Sequence, residues 1–91
     1  MIKKVIRIEN ELGLHARAAA KLVKLSSEFE SDISLSKSNG NQRIDGKSIL
    51  GVLLLAASHG TELDIVFEGI DEAEAAAAVE KLIAGRFGEG K

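Results

Sequence analysis

Residues 2–27 read IKKVIRIENELGLHARAAAKLVKLSS, and the hydrophobic period changes once inside them. Over 2–9, Ile6 and Ile8 alternate with Arg7 and Glu9, and two β-branched residues stand together at Val5-Ile6, the period of a strand with one apolar face. Asn10 to Gly13 breaks that pattern and turns the chain. From Ala16 to about Ser27 the period lengthens: Ala19, Leu22, Val23 and Ser26 form one helical stripe, with Lys21, Lys24 and Glu28 largely off it. The stretch is strand, turn and helix, with His15 immediately before the helix.

Working outward, residues 32–38 alternate again at Ile33 and Leu35, and Ser38-Asn39-Gly40-Asn41 holds an Asn-Gly pair suited to positive φ in a tight hairpin. The expected return strand is Gln42 to Asp45. Ile49 to Ala57 is almost uniformly apolar and runs to His59-Gly60, which predicts a short helix capped there. Residues 61–68 set Leu63, Ile65 and Phe67 against Glu62, Asp64 and Glu68, a strand with one buried face. Asp71-Glu72 then opens an alanine-rich helix whose acidic first turn suits the helix dipole. Its stripe is Ala75, Ala76, Val79, Leu82 and Ile83, and it ends near Gly85. The order β-α-β-β-α-β-α, with no repeat or linker, predicts an α+β fold. Its expected form is an open-faced two-layer sandwich, one four-stranded antiparallel sheet covered by three helices. Residues 1–91 are expected to form one domain.

An apolar fraction of 45% beside 29% charged residues and a net charge of −2 marks a folded chain and gives no sign of nucleic-acid binding. With no cysteine there is no disulfide, thiolate nucleophile or cysteine zinc site, and neither a metal nor a cofactor is expected. The N-terminus lacks the continuous apolar run of a signal peptide or membrane helix, so no membrane insertion and a cytoplasmic location are expected. Residues 1–24 hold six Lys or Arg against two Glu, whereas 62–91 hold three basic against eight acidic side chains. The His15 end should therefore be electropositive, favouring an anionic substrate or an acidic partner surface.

A histidine just before a helix faces the unpaired amides of the first turn, which disfavour imidazolium and leave the ring nucleophilic. The amides of Ala16, Arg17 and Ala18 can then stabilise a phosphoryl group taken up by the ring, and Arg17 adds a fork that matches phosphate. Spacing alone favours an ordinary capping or surface histidine beside a solvated arginine.

Gly13-Leu14-His15-Ala16-Arg17-Ala18-Ala19-Ala20-Lys21-Leu22 closely resembles the active-site stretch of the HPr family, the histidine-containing phosphocarriers of the phosphoenolpyruvate-dependent phosphotransferase system. Asp45-Gly46-Lys47-Ser48-Ile49-Leu50-Gly51-Val52 resembles the family's regulatory-serine segment, and the element order is similar across essentially the whole chain. The resemblance implies that His15 accepts phosphate on its δ nitrogen from Enzyme I and passes it to a histidine on an EIIA-type protein, with Arg17 steadying the group. The carrier is then a phosphorylated intermediate and not an enzyme. The family pattern usually has proline where this chain has Ala18, inside the first turn, where proline is tolerated and restrains the backbone. That departure is more like the nitrogen-related regulatory branches than the sugar-uptake carriers.

Ser48 stands where the short helix should begin, so it reads as an N-cap. By resemblance it is also the target of an HPr kinase/phosphorylase, and a phosphate there would set about two negative charges beside the docking surface. The resemblance puts Ile49, Leu50 and Leu53 on that surface with Ala16, Ala20 and Lys24, whereas Val52 and Leu55 read as core. His59 has no acidic or cysteine partner at ligand spacing and reads as structural. Two other readings stand beside this one, and the first shares every motif. One is a protein-binding module switched by phosphorylation without onward transfer. The other is a small histidine hydrolase, for which no triad order, metal spacing or phosphate loop is present.

Overall fold

The computed structural model describes residues 1–91. Its elements are β1 (Ile2–Arg7), α1 (Ala16–Ser26), β2 (Asp32–Lys37), β3 (Ile44–Asp45), α2 (Ile49–Leu55), β4 (Glu62–Glu68) and α3 (Glu72–Ala84), followed by a 3₁₀ turn, Arg86–Gly88. The sheet order is β1-β4-β2-β3 and every neighbouring pair is antiparallel. β4 lies between β1 and β2, pairing Ile6 with Leu63 on one side and Leu35 with Ile65 on the other.

That register is fixed by which face must be buried, because a slip of one residue would turn every apolar side chain outward. Ile6, Ile33, Leu35, Leu63, Ile65 and Phe67 point toward the helices, and all are buried. Against them α1 presents Ala18, Ala19 and Leu22, α2 presents Val52 and Leu55, and α3 presents Ala75, Ala76, Val79 and Ile83. Ala75 and Ala76 let α3 lie close to β1 and β4, while Ala18 and Ala19 lie on the buried face of α1, which packs against α2 and α3. The other sheet face carries Lys3, Arg7, Asp32, Ser34, Ser36 and Asp64, which is why the sandwich is open on that side. The expected fold class is the one found.

Three boundaries differ from the sequence reading by two residues. The regular ladder of β1 stops at Arg7, although Ile8 still exchanges bonds with the start of β4, donating to the Thr61 carbonyl at 2.9 Å and accepting from the Gly60 amide at 2.8 Å. The return strand is only Ile44–Asp45, opposite Leu35 and Ser34. Asn41, Gln42 and Arg43 are polar and exposed, so extending the ladder through them would bury nothing. Neither Asn39 nor Gly40 takes positive φ; Gly40 instead fills the fourth position of a turn closed by its amide on the Lys37 carbonyl at 2.9 Å.

α2 ends at Leu55, two residues before the expected Ala57, with Ala56 in the left-handed region at φ 52. The abrupt stop delivers Ala57 to the loop before α1, where its carbonyl accepts the Leu14 amide at 2.8 Å. Gly60, at φ 86, shapes the turn into β4 and caps no helix, and His59 is exposed in that turn, away from any helix end.

Candidate functional site

His15 is the N-cap residue of α1, with φ −75 and ψ 179, and the first intrahelical bond runs from the Ala19 amide to its carbonyl at 2.8 Å. The loop before it is held from both sides. Gly13 takes φ 68, Leu14 is buried, and Asn10, which has no exposed surface, donates its side-chain amide to the Gly13 carbonyl at 2.8 Å.

The imidazole makes no bond to the first-turn amides. Its Nε2 instead meets the Glu89 carboxylate, which also accepts the Asn10 side-chain amide at 2.9 Å and lies 3.8 Å from the Arg17 Nε. The hydrogen-bond partner of the ring is thus Glu89, which the sequence reading did not anticipate. A carboxylate at Nε2 accepts a proton from it, and in the neutral ring the lone pair is then on Nδ1. The Asn10 amide first, and the His15 ring second, hold the Glu89 carboxyl below its ordinary range, with Arg17 adding a smaller share. Burial acts in the opposite direction and is outweighed.

Glu89 reaches the site through the turn after α3. Phe87 is buried and anchors that turn, its carbonyl accepts Lys21 Nζ at 2.7 Å, and the Lys91 carbonyl accepts the Glu11 amide at 2.9 Å. Glu11, Leu12, Arg17, Glu89 and Lys91 line a cavity of about 310 Å³ beside the Glu89 carboxylate. The His15 end is therefore of mixed sign, not uniformly electropositive, because folding brings an acidic side chain from the far end of the chain onto the histidine. Sequence reasoning missed Asn10, Phe87 and Glu89. The one available signal was Phe87, a lone large apolar side chain among Gly85, Arg86, Gly88 and Glu89.

The other singled-out residues are placed as follows. Arg17 is on the exposed rim, its side chain 69% accessible, while the Ala18 side chain is wholly buried in the first turn. Ser48 caps α2: its hydroxyl accepts the Gly51 amide at 3.1 Å. α1 packs beside α2, with Ala16, Ala20 and Lys24 exposed on one helix and Ile49, Leu50 and Leu53 on the other. Leu54 and Leu12 are also exposed, apolar side chains that the sequence pattern did not single out. Val52 and Leu55 are buried. No three His, Cys, Asp or Glu side chains are grouped to hold a metal ion, and no helix is long and apolar enough to cross a membrane.

Residues 2–85 match the family model described as the phosphotransferase-system HPr component phosphorylation site. The phosphocarrier protein HPr of Neisseria meningitidis serogroup A is 46% identical over 91 residues, covering all of both chains. That of Cupriavidus necator is 48% identical over the same span, again with both chains fully covered. Among solved structures, HPr-C-His from Thermoanaerobacter tengcongensis superimposes with a TM-score of 0.93 at 41% identity, with 100% of each chain covered. With the strand order, the half-buried histidine before α1 and these relatives in agreement, the chain belongs to the HPr phosphocarrier family of the phosphotransferase system.

Proposed function

We propose that His15 accepts a phosphoryl group on Nδ1 from Enzyme I, with phosphoenolpyruvate as ultimate donor, and that the chain passes it to an EIIA-type protein. The observation that carries this reading is the geometry of the ring: Nε2 is engaged by Glu89 while the lone pair of Nδ1 is left for phosphorus, at the start of a helix whose first amides have no carbonyl partner. Arg17 stands on the rim with its guanidinium accessible to a phosphoryl group. The aliphatic side chains of Ile49, Leu50 and Leu53, with Ala16, Ala20 and Lys24, form the surface on which both partners dock in turn. The protein works in the cytoplasm as a phosphorylated intermediate, without a cofactor.

Phosphorylation of Ser48 by an HPr kinase/phosphorylase adds charge beside that surface and weakens docking of an acidic partner. The test is incubation of the chain with phosphoenolpyruvate and a cognate Enzyme I, followed by intact mass under non-acidic conditions. Wild type gains one acid-labile phosphate and His15→Ala gains none; an unmodified wild type beside active Enzyme I rejects the reading.

Ala18, in place of the family's usual proline, favours a second reading in which the chain is the regulatory, protein-binding member of a nitrogen-related branch. Chasing labelled phosphate separates the two, since a switch retains the label and a carrier surrenders it to the acceptor.

A further inference from the structure

We infer that Glu89, held by Asn10, is a positioning residue for phosphoryl transfer: it keeps a proton on Nε2 of His15, directs the lone pair to Nδ1, and balances the positive charge that the ring acquires. The inference rests on the reading of His15 as the phosphoryl acceptor.

Three features of the fold converge on this role. Both carboxylate oxygens are engaged, one by the Asn10 amide and the other by the His15 ring, and the Glu89 side chain is only 11% accessible. Asn10 donates through one nitrogen both to the Gly13 carbonyl and to Glu89, so a single buried amide fixes the loop that carries His15 and the acid that faces it. The backbone that delivers Glu89 turns through two consecutive non-glycine residues in the left-handed region, Arg86 at φ 57 and Phe87 at φ 54. Such a conformation is unfavourable for side-chain-bearing residues and persists where surrounding contacts hold it, here the buried Phe87 ring and the Lys21 ammonium on its carbonyl.

The chemistry needs no proton to enter or leave. The Nδ1 lone pair attacks phosphorus, a new N–P bond forms, and the donor's bond to phosphorus breaks with its electron pair staying on the donor. The ring is then substituted at Nδ1 and protonated at Nε2, an imidazolium whose charge faces Glu89. In onward transfer the N–P bond breaks and its electron pair returns to Nδ1, restoring the neutral ring with the same Nε2 proton. A carboxylate that orients an imidazole and stabilises its cationic form is the arrangement by which serine hydrolases use their aspartate. The anion needed is present over the working pH range, because the Asn10 and His15 hydrogen bonds hold the Glu89 carboxyl below its ordinary range.

The test uses the full chain, with phosphoramidate as a small-molecule phosphoryl donor, and compares wild type with Glu89→Gln, Glu89→Ala and Asn10→Ala. Long-range proton–nitrogen NMR correlations on the neutral His15 ring should show the proton on Nε2 in wild type and in Glu89→Gln, whose amide oxygen still accepts it. In Glu89→Ala the ring should relax toward the tautomer mixture of a solvated histidine, with part of the phosphoryl group on Nε2. Phosphorylation should slow on the order of 10-fold in Glu89→Ala, a size typical of losing an outer-shell partner. Glu89→Gln should be slowed without loss of Nδ1 selectivity, and Asn10→Ala should fall between wild type and Glu89→Ala. Wild-type tautomer, selectivity and rate in Glu89→Ala would overturn the inference. Because the tautomer is measured with no partner present, it decides the role of Glu89 separately from whether Enzyme I phosphorylates the chain.

Discussion

The hydroxyl of Ser48 accepts the amide of Gly51 at 3.1 Å, so the oxygen proposed as a regulatory phosphate acceptor already closes the first turn of α2. Ser48→Ala removes that acceptor and should cost about 1 kcal/mol. For a chain of this length that corresponds to a fall of roughly 4–8 °C in Tm by calorimetry. Ser48→Asp keeps an acceptor at the cap while adding charge, so it should hold Tm near wild type and raise the KM for Enzyme I. A Ser48→Asp protein with unchanged KM would argue against charge at this position as a brake on docking.

Under the proposed function, Arg17 should contribute to the phosphorylated state more than to the fold. Its guanidinium is 69% accessible and its one ion pair, at 3.8 Å from Glu89, is weak in water. Arg17→Ala should therefore leave the unfolding midpoint unchanged. Losing charge-assisted bonds to a phosphoryl group at an exposed site should reduce kcat/KM for Enzyme I about 10-fold, the lower end for such bonds. Stopped transfer assays alongside urea unfolding separate these two quantities.

Two leucines of similar chemistry should behave oppositely. Leu50 is 65% accessible and Leu22 is fully buried. Leu22→Ala opens a cavity under α1 and should destabilise the chain by about 2–5 kcal/mol. Leu50→Ala should stay within about 0.5 kcal/mol of wild type yet weaken partner binding, measured by titration calorimetry with Enzyme I. Loss of stability in Leu50→Ala would return that side chain to the core.

Acid should weaken the fold through Asp71. Its carboxylate accepts the Ser31 hydroxyl and the amides of Glu30 and Ser31, tying the loop before β2 to the start of α3. The Ser31 hydroxyl is the largest influence and the Glu30 amide the next, and together with the remaining bonds they hold the carboxyl below its ordinary range against the opposing effect of burial. Glu72 and Glu89 are shifted in the same direction. A depressed carboxyl pKa means that the unfolded chain binds the proton more readily. The stabilisation is complete above the unfolded value, about 4, and is lost as pH falls through the lower folded value. Urea midpoints should decline steeply below about pH 4, and Asp71→Asn should flatten that decline while lowering the midpoint at neutral pH.

The parts of the fold legible in the sequence are those with one wet and one dry face. β4 alternates Leu63, Ile65 and Phe67 with acidic residues, and α1 and α3 carry single apolar stripes, so period and burial coincide. α2 offered no such contrast. Its residues are apolar almost throughout, so neither its end nor the half of it that meets water could be read, and Leu54 went unnoticed. The histidine, arginine and serine stand in local motifs, from which their roles are proposed. Glu89 was not, because its contacts with Asn10 and His15 join residues more than seventy positions apart, and no periodicity records which loop a carboxylate will meet.

A side chain at Gly13 would bring a Cβ to 2.6 Å from the Ala57 carbonyl and 2.8 Å from the Ser58 Cα. The segment bearing the histidine is therefore clasped directly onto the segment leaving α2. The imidazole and the aliphatic surface of α2 cannot drift apart, so under the proposed function a partner seated on the leucines meets Nδ1 at a fixed offset. Orientation of the reacting atoms is settled once, when the chain folds, and not again at each encounter. A shuttle that must meet a giver and a taker by turns through one face can then present the same alignment to both.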